Sequence, residues 1–193
     1  MQKLKVIIFD WDGTLYDAND FWGNLGELYL RSMGIEPDEQ INAQVECMTL
    51  HESLLFCKEQ YHIDRSFESI KADLFAFMEH GYVYELNWMP KAQELVKQLK
   101  QAGYKLAIAT AADASLLDKI LKKDHMDAYF DYVITCDELH TNKKSPFIYE
   151  ECCRQLNVDK SESVVVEDDK RAIQTARNAG FIVYESILEL KIK

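Results

Sequence analysis

The chain has 193 residues, 48% of them hydrophobic, which suits one domain or a core with an insertion. Its 33 acidic residues outnumber 22 basic ones, for a net charge of −11. That balance excludes a nucleic-acid partner as the default expectation, because phosphate backbones are met with Lys and Arg. A small phosphorylated ligand stays compatible with it, since a local pocket can be positive or hold a metal. The longest leading apolar run, Val6–Phe9, is too short for a signal core or a membrane span, so no membrane association is expected.

In chain order, "VIIF" (Val6–Phe9) reads as a strand buried on both faces that runs straight into Asp10 and Asp12. The next stretch breaks into helical stripes: Phe21, Leu25, Leu28 and Tyr29, then Ile41, Val45 and Met48, then Leu74, Phe75 and Met78. No strand pattern occurs there, and Gly81 to Pro90 is the expected return. Ala92, Leu95, Val96 and Leu99 follow helical spacing, and Gly103 closes that helix. A strand over Tyr104–Thr110 follows, then a helix carrying Leu116, Leu117, Ile120 and Leu121, then a strand over Tyr129–Thr135. In "KKSP", Ser145 fits an N-cap and Pro146 a first helical position. Ser163–Asp168 and Phe181–Glu185 are the last two strands, and between them Ile173, Ala176 and Ala179 mark a helix that Gly180 closes.

The expected fold is therefore α/β: a doubly wound, Rossmann-like parallel sheet formed by residues 1–16 and 86–193. An all-helical cap domain, residues 17–85, is inserted behind the first strand. An insertion at a strand's carboxyl end sits where ligands bind such sheets, so it reads as a lid. The five cysteines include no CxxC pair; Cys47 and Cys57 fall in helical patterns and Cys152 and Cys153 are adjacent. They read as reduced thiols, which places the protein in the cytoplasm.

Asp10 and Asp12 would share one face of an extended segment. Two carboxylates in one site repel unless a cation compensates, and Mg²⁺ accepts carboxylates, waters and phosphate oxygens. Gly13 permits a tight turn and close approach of a ligand. "VVVEDD" ends a second buried strand on Glu167, Asp168 and Asp169. In a parallel sheet both acidic strand ends lie on one rim, which points to a Mg²⁺ site; Asp168 or Asp169 would also cap the following helix. Thr110 ends a third strand and could donate to a phosphate oxygen or cap. Lys143 and Lys144 sit just before a helix N-terminus, where amide groups already favour anions.

These residues together resemble the haloacid dehalogenase-like superfamily of phosphatases and phosphomutases. The resemblance rests on "DWDGT" (Asp10–Thr14), the strand ending at Thr110, the K-x-x-P of "KKSP" and "VVVEDD", in that order, with the helical insertion in the place of a C1-type cap. It implies Asp10 as the nucleophile that takes the phosphoryl group. Asp12 is implied as general acid, then base, and Thr110 with the motif lysine as phosphate ligands. Counting back from Pro146 makes that lysine Lys143. The implied metal ligands are Asp10, the Asp12 carbonyl and Asp168, with Glu167 direct or in support.

The resemblance also implies an activity: a Mg²⁺-dependent phosphatase of the phosphoglycolate phosphatase-like kind, acting on a small phosphorylated metabolite. Asp12 disfavours dehalogenase and phosphonatase chemistry. The alternatives are a hexose-phosphate mutase of the β-phosphoglucomutase type, or a non-catalytic protein that binds phosphate esters. The mutases carry a His near the position of Trp22 and an Arg in a cap loop where this chain has "MTLHES". Trp22 and His51 are accordingly the candidate cap residues for substrate.

Overall fold

The computed structural model describes residues 4–45 and 48–190, and Cys47 lies outside the described residues. In chain order the elements are β1 (Val6–Phe9), α1 (Asn19–Gly23), α2 (Leu25–Ser32), α3 (Ile41–Val45), α4 (Leu50–Gln60) and α5 (Phe67–His80). There follow α6 (Ala92–Gln101), β2 (Lys105–Thr110), α7 (Ala114–Lys123), β3 (Tyr132–Thr135), α8 (Phe147–Leu156), β4 (Ser163–Val166), α9 (Lys170–Asn178) and β5 (Ile182–Tyr184). The chain divides into two compact units, with boundaries between Asp17 and Ala18 and between Leu86 and Asn87.

The first unit is a five-stranded, wholly parallel sheet in the order β3-β2-β1-β4-β5, flanked by helices. It is the doubly wound α/β fold that the strand and helix patterns call for. Buried on both faces, the strands carry apolar residues at successive positions rather than alternating ones. Val6 and Ile8 of β1 join Val165 of β4 against the buried faces of α8 and α9. Ile7 and Phe9, equally buried, point to the opposite side. Each such aliphatic side chain contributes about 1.5–3 kcal/mol through burial.

The strands are shorter than the apolar runs suggest. Asp127–Tyr129 winds a 3₁₀ turn, so β3 starts at Tyr132 rather than Tyr129. The Asp131 carboxylate accepts the Leu106 N–H at 2.8 Å where β2 begins. β4 ends at Val166, although the Glu167 N–H still donates to the Tyr184 carbonyl of β5 at 3.1 Å, and Asp169 caps α9 by accepting the amides of Arg171 and Ala172. α8 begins one residue later than expected, at Phe147, with Pro146 in the cap position and the Ser145 hydroxyl accepting the Phe147 N–H at 3.3 Å. Gly103 and Gly180 both have positive φ just past a helix, the usual C-terminal stop.

Among its described residues, the elements of the second unit are all helices, joined by turns. Its core gathers Tyr29, Leu30, Ile41, Leu54, Ile70 and Leu74. The Tyr29 hydroxyl donates to the Ile70 carbonyl at 2.9 Å, tying α2 to α5. Two details depart from the stripes. Leu28 and Phe75 are exposed, because the buried rows run through Tyr29–Leu30 and Ile70–Leu74. Met48 is not helical: Thr49 and Glu52 form a capping box that starts α4 afresh at Leu50.

Gly81 opens a π-helical turn, Gly81–Glu85, behind α5. A Cβ there would lie 2.6 Å from Cε2 of the buried Phe21 ring. That ring is itself fixed against Trp22, with centroids 5.1 Å apart. Gly81→Ala is therefore expected to destabilise the protein by about 1–3 kcal/mol. Urea denaturation would measure it, and Phe21→Leu in the same chain should recover part of the loss, since the two residues touch.

Candidate active site

Because Phe9 pairs with Val166, the residues that follow, Asp10 and Glu167, leave neighbouring strands at the same level. The Asp10 N–H donates to the Val166 carbonyl at 2.8 Å, which fixes that placement. β1 and β4 are also the strands between which the winding reverses: β2 and β3 lie on one side of β1, β4 and β5 on the other. The crevice at such a switch point is where ligands bind in open α/β sheets.

Past Asp12 the chain turns on Gly13, whose φ is +78°, a conformation that favours glycine. The amides of Thr14, Leu15 and Tyr16 all converge on the Trp11 carbonyl. Thr14 is buried, and its hydroxyl lies 3.5 Å from Asp168 Oδ1.

Carboxylate oxygens of Asp10, Glu167 and Asp168 lie within 4.8 Å of one another. Lys143 reaches into this group from the segment between β3 and α8, donating to Asp10 Oδ1 and, at 2.8 Å, to Glu167 Oε2. Lys144 next to it is exposed. The Tyr149 hydroxyl donates to the same Glu167 oxygen at 2.8 Å, and the Asp169 N–H approaches Oε1 at 3.3 Å.

Burial pushes the Asp10 carboxyl well above its ordinary range; Lys143 pulls it down, and Glu167 adds to the rise. Burial alone would lower Lys143, but the charges of Asp10 and Glu167 outweigh it and hold the ammonium on. Burial, then the Glu167 charge, drive the Tyr149 phenol upward, so it stays a donor. One lysine faces three carboxylates here, and the grouped donors are all hard oxygens. That set fits Mg²⁺, which favours carboxylate oxygens.

The other sequence candidates fall as follows. Asp12 is half-buried, and its carboxylate is outside the cluster of three. Thr110 ends β2, the strand beside β1; its buried hydroxyl accepts the Ala112 N–H at 3.0 Å, so the O–H can donate elsewhere. In the helical unit, His51 is exposed on α4 with its ring 4.6 Å from that of Phe67. Trp22 is half-buried against Phe21 and Tyr82. Two residues at the cluster have no role that the sequence assigns. Thr14 lay inside the DWDGT motif, whereas Tyr149 sits on an apolar helical face and carries no signal beyond its residue type.

The fold and this cluster define a doubly wound α/β protein with an acid-rich centre at its switch point. Residues 7–184 match the family described as haloacid dehalogenase-like hydrolase. The "Phosphorylated carbohydrates phosphatase" of Thermotoga maritima is 26% identical over 177 residues, which span 92% of this chain and 82% of that protein. "Pyrophosphatase PpaX" of Bacillus velezensis is 27% identical over 188 residues, spanning 93% and 81% respectively. A solved Thermotoga maritima structure described as "putative beta-phosphoglucomutase" superposes with a TM-score of 0.84 at 25% identity, covering 98% of this chain and 88% of that one. The chain belongs to the haloacid dehalogenase-like hydrolase family and is an enzyme of the phosphatase kind. Among its described residues no helix is long and apolar enough to cross a membrane.

Proposed function

We propose that the protein is a Mg²⁺-dependent phosphatase that hydrolyses a small phosphorylated metabolite through an aspartyl-phosphate on Asp10. The observation that carries this reading is the cluster of Asp10, Glu167 and Asp168 with Lys143 upon it. In the first step an Asp10 carboxylate oxygen attacks phosphorus and the bond to the leaving oxygen breaks. Asp12 gives that oxygen a proton. Asp12 then takes a proton from water, whose oxygen attacks phosphorus and releases Asp10 with inorganic phosphate. Splitting one hard displacement into two is what covalent capture achieves. Lys143 and the Thr110 hydroxyl meet the negative oxygens of the phosphoryl group.

Asp10, the Asp12 carbonyl and Asp168, with Glu167 direct or through water, would hold Mg²⁺, which supplies the charge neutralisation such a transfer needs. Residues 18–86, inserted behind β1, would act as the cap that selects the substrate, with Trp22 and His51 as its candidate contacts. Cys57, Cys136, Cys152 and Cys153 are free and buried, which supports a reducing compartment, the cytoplasm.

Turnover of p-nitrophenyl phosphate with Mg²⁺ tests the reading. EDTA should silence it and Mg²⁺ restore it; hydrolysis that persists in EDTA would count against the Asp168 assignment. A panel of sugar phosphates, nucleotides, phosphoglycolate and pyrophosphate would then find the substrate. The likeness to the Thermotoga maritima structure favours a hexose-phosphate mutase as the second reading. Bisphosphate-dependent isomerisation with slow phosphate release would establish that one instead.

A further inference from the structure

We propose that Tyr149 is a positioning residue for the metal site: its hydroxyl sets the orientation of the Glu167 carboxylate. The inference rests on the metal reading above. Glu167 is fully buried, so its orientation is decided by its partners and not by water. The last torsion of a glutamate side chain is a broad well, which leaves the carboxylate plane undefined until hydrogen bonds define it.

Among the described residues, three donors meet the Glu167 carboxylate. Lys143 is shared with Asp10, and in the proposed reaction it must also serve the phosphoryl oxygens. The Asp169 amide is 3.3 Å away, a long contact that touches only Oε1. Tyr149 donates at 2.8 Å from α8, where its ring is fully buried and edge-on to Phe181 with centroids 6.0 Å apart. A phenol has one proton to donate, and this one is committed to Oε2. Tyr149 therefore holds Oε2 on the Lys143 side whether or not Lys143 is engaged elsewhere. Partners of this kind, one step out from a metal, orient the ligand, and their loss commonly weakens metal affinity about 10–100-fold.

A plain core role would use the ring alone, and Tyr149→Phe keeps the ring. Calorimetric titration of Mg²⁺ into the wild-type chain and into Tyr149→Phe should give a dissociation constant about 10-fold weaker in the variant. Ile148→Val, at the fully buried neighbour on α8, should lower stability and leave Mg²⁺ affinity unchanged. A second measurement needs no variant: the Cζ resonance of Tyr149 in ¹³C-tyrosine-labelled wild type should shift on Mg²⁺ addition. Equal affinities in wild type and Tyr149→Phe, or an unmoved Cζ resonance while Mg²⁺ binds, would overturn the role of Tyr149 alone. Absence of Mg²⁺ binding by the wild type would overturn the metal reading and this inference with it.

Discussion

Asp10→Asn is expected to reduce turnover of p-nitrophenyl phosphate to below about one ten-thousandth of the wild-type rate, with the fold retained. An amide oxygen of the same shape can still accept from Lys143, but it does not form the phosphoryl ester. The stability side follows from burial. The Asp10 carboxyl is buried and its pKa lies above the ordinary value, so its ionised form is disfavoured in the folded chain. A group raised in this way contributes stability at pH below its unfolded pKa and loses that contribution as pH rises through the folded value. At neutral pH the charge is a burden on the fold, and a neutral isostere removes it while weakening one ion pair. The melting temperature of Asp10→Asn should therefore stay within a few degrees of wild type or rise. Retained turnover would remove Asp10 as nucleophile. Loss of activity together with loss of circular dichroism would contradict the claim that function, not folding, keeps this charge.

Much of the core was legible because burial on both faces leaves a signature that needs no partner to read. Val6–Phe9 and Val164–Val166 are apolar at every position, and each runs directly into acids. Parallel strands then force those acids to one edge, so the rim that gathers Asp10, Glu167 and Asp168 could be anticipated without a register. Where each element stops was less legible. Glu167 and Asp168 look like strand continuations, yet β4 ends at Val166 with the Glu167 N–H making a last bond to Tyr184, and local periodicity does not register that end. Met48 continues a helical spacing from Ile41, but the Thr49–Glu52 box outweighs it. Tyr149 illustrates the deepest limit. Its ring obeys the core periodicity of α8, so its spacing reports packing, whereas its hydroxyl's partner, Glu167, follows β4, 18 residues away in sequence. Hydrogen bonds from a helix to a strand end are set by tertiary placement and leave no local pattern.

Lys143→Met is expected to cost about 3 kcal/mol or more and to remove most activity even with Mg²⁺ in excess. The lysine is nearly buried, and it separates two carboxylates that are buried themselves. Removing one member of a buried ion pair leaves the partner's charge uncompensated, and here two charges are left facing Asp168 as a third. For a chain of this size the melting temperature should fall by about 6–12 °C. Mg²⁺ should return part of that loss, by mass action, because it neutralises the same oxygens. The Mg²⁺-induced rise in melting temperature should thus be larger in Lys143→Met than in wild type, where ammonium and metal compete for Asp10 and Glu167. Activity should not return with it. The lysine's other task is to meet charge on the transferred group, and removing such a donor costs about 10²–10³ in rate. Lys144→Met, one residue along and exposed, should change stability by less than about 0.5 kcal/mol and leave turnover near wild type. The opposite pattern, an inactive Lys144 variant beside an active Lys143 variant, would move the phosphate-binding role to Lys144 and leave the contact between Lys143 and Asp10 a purely structural one.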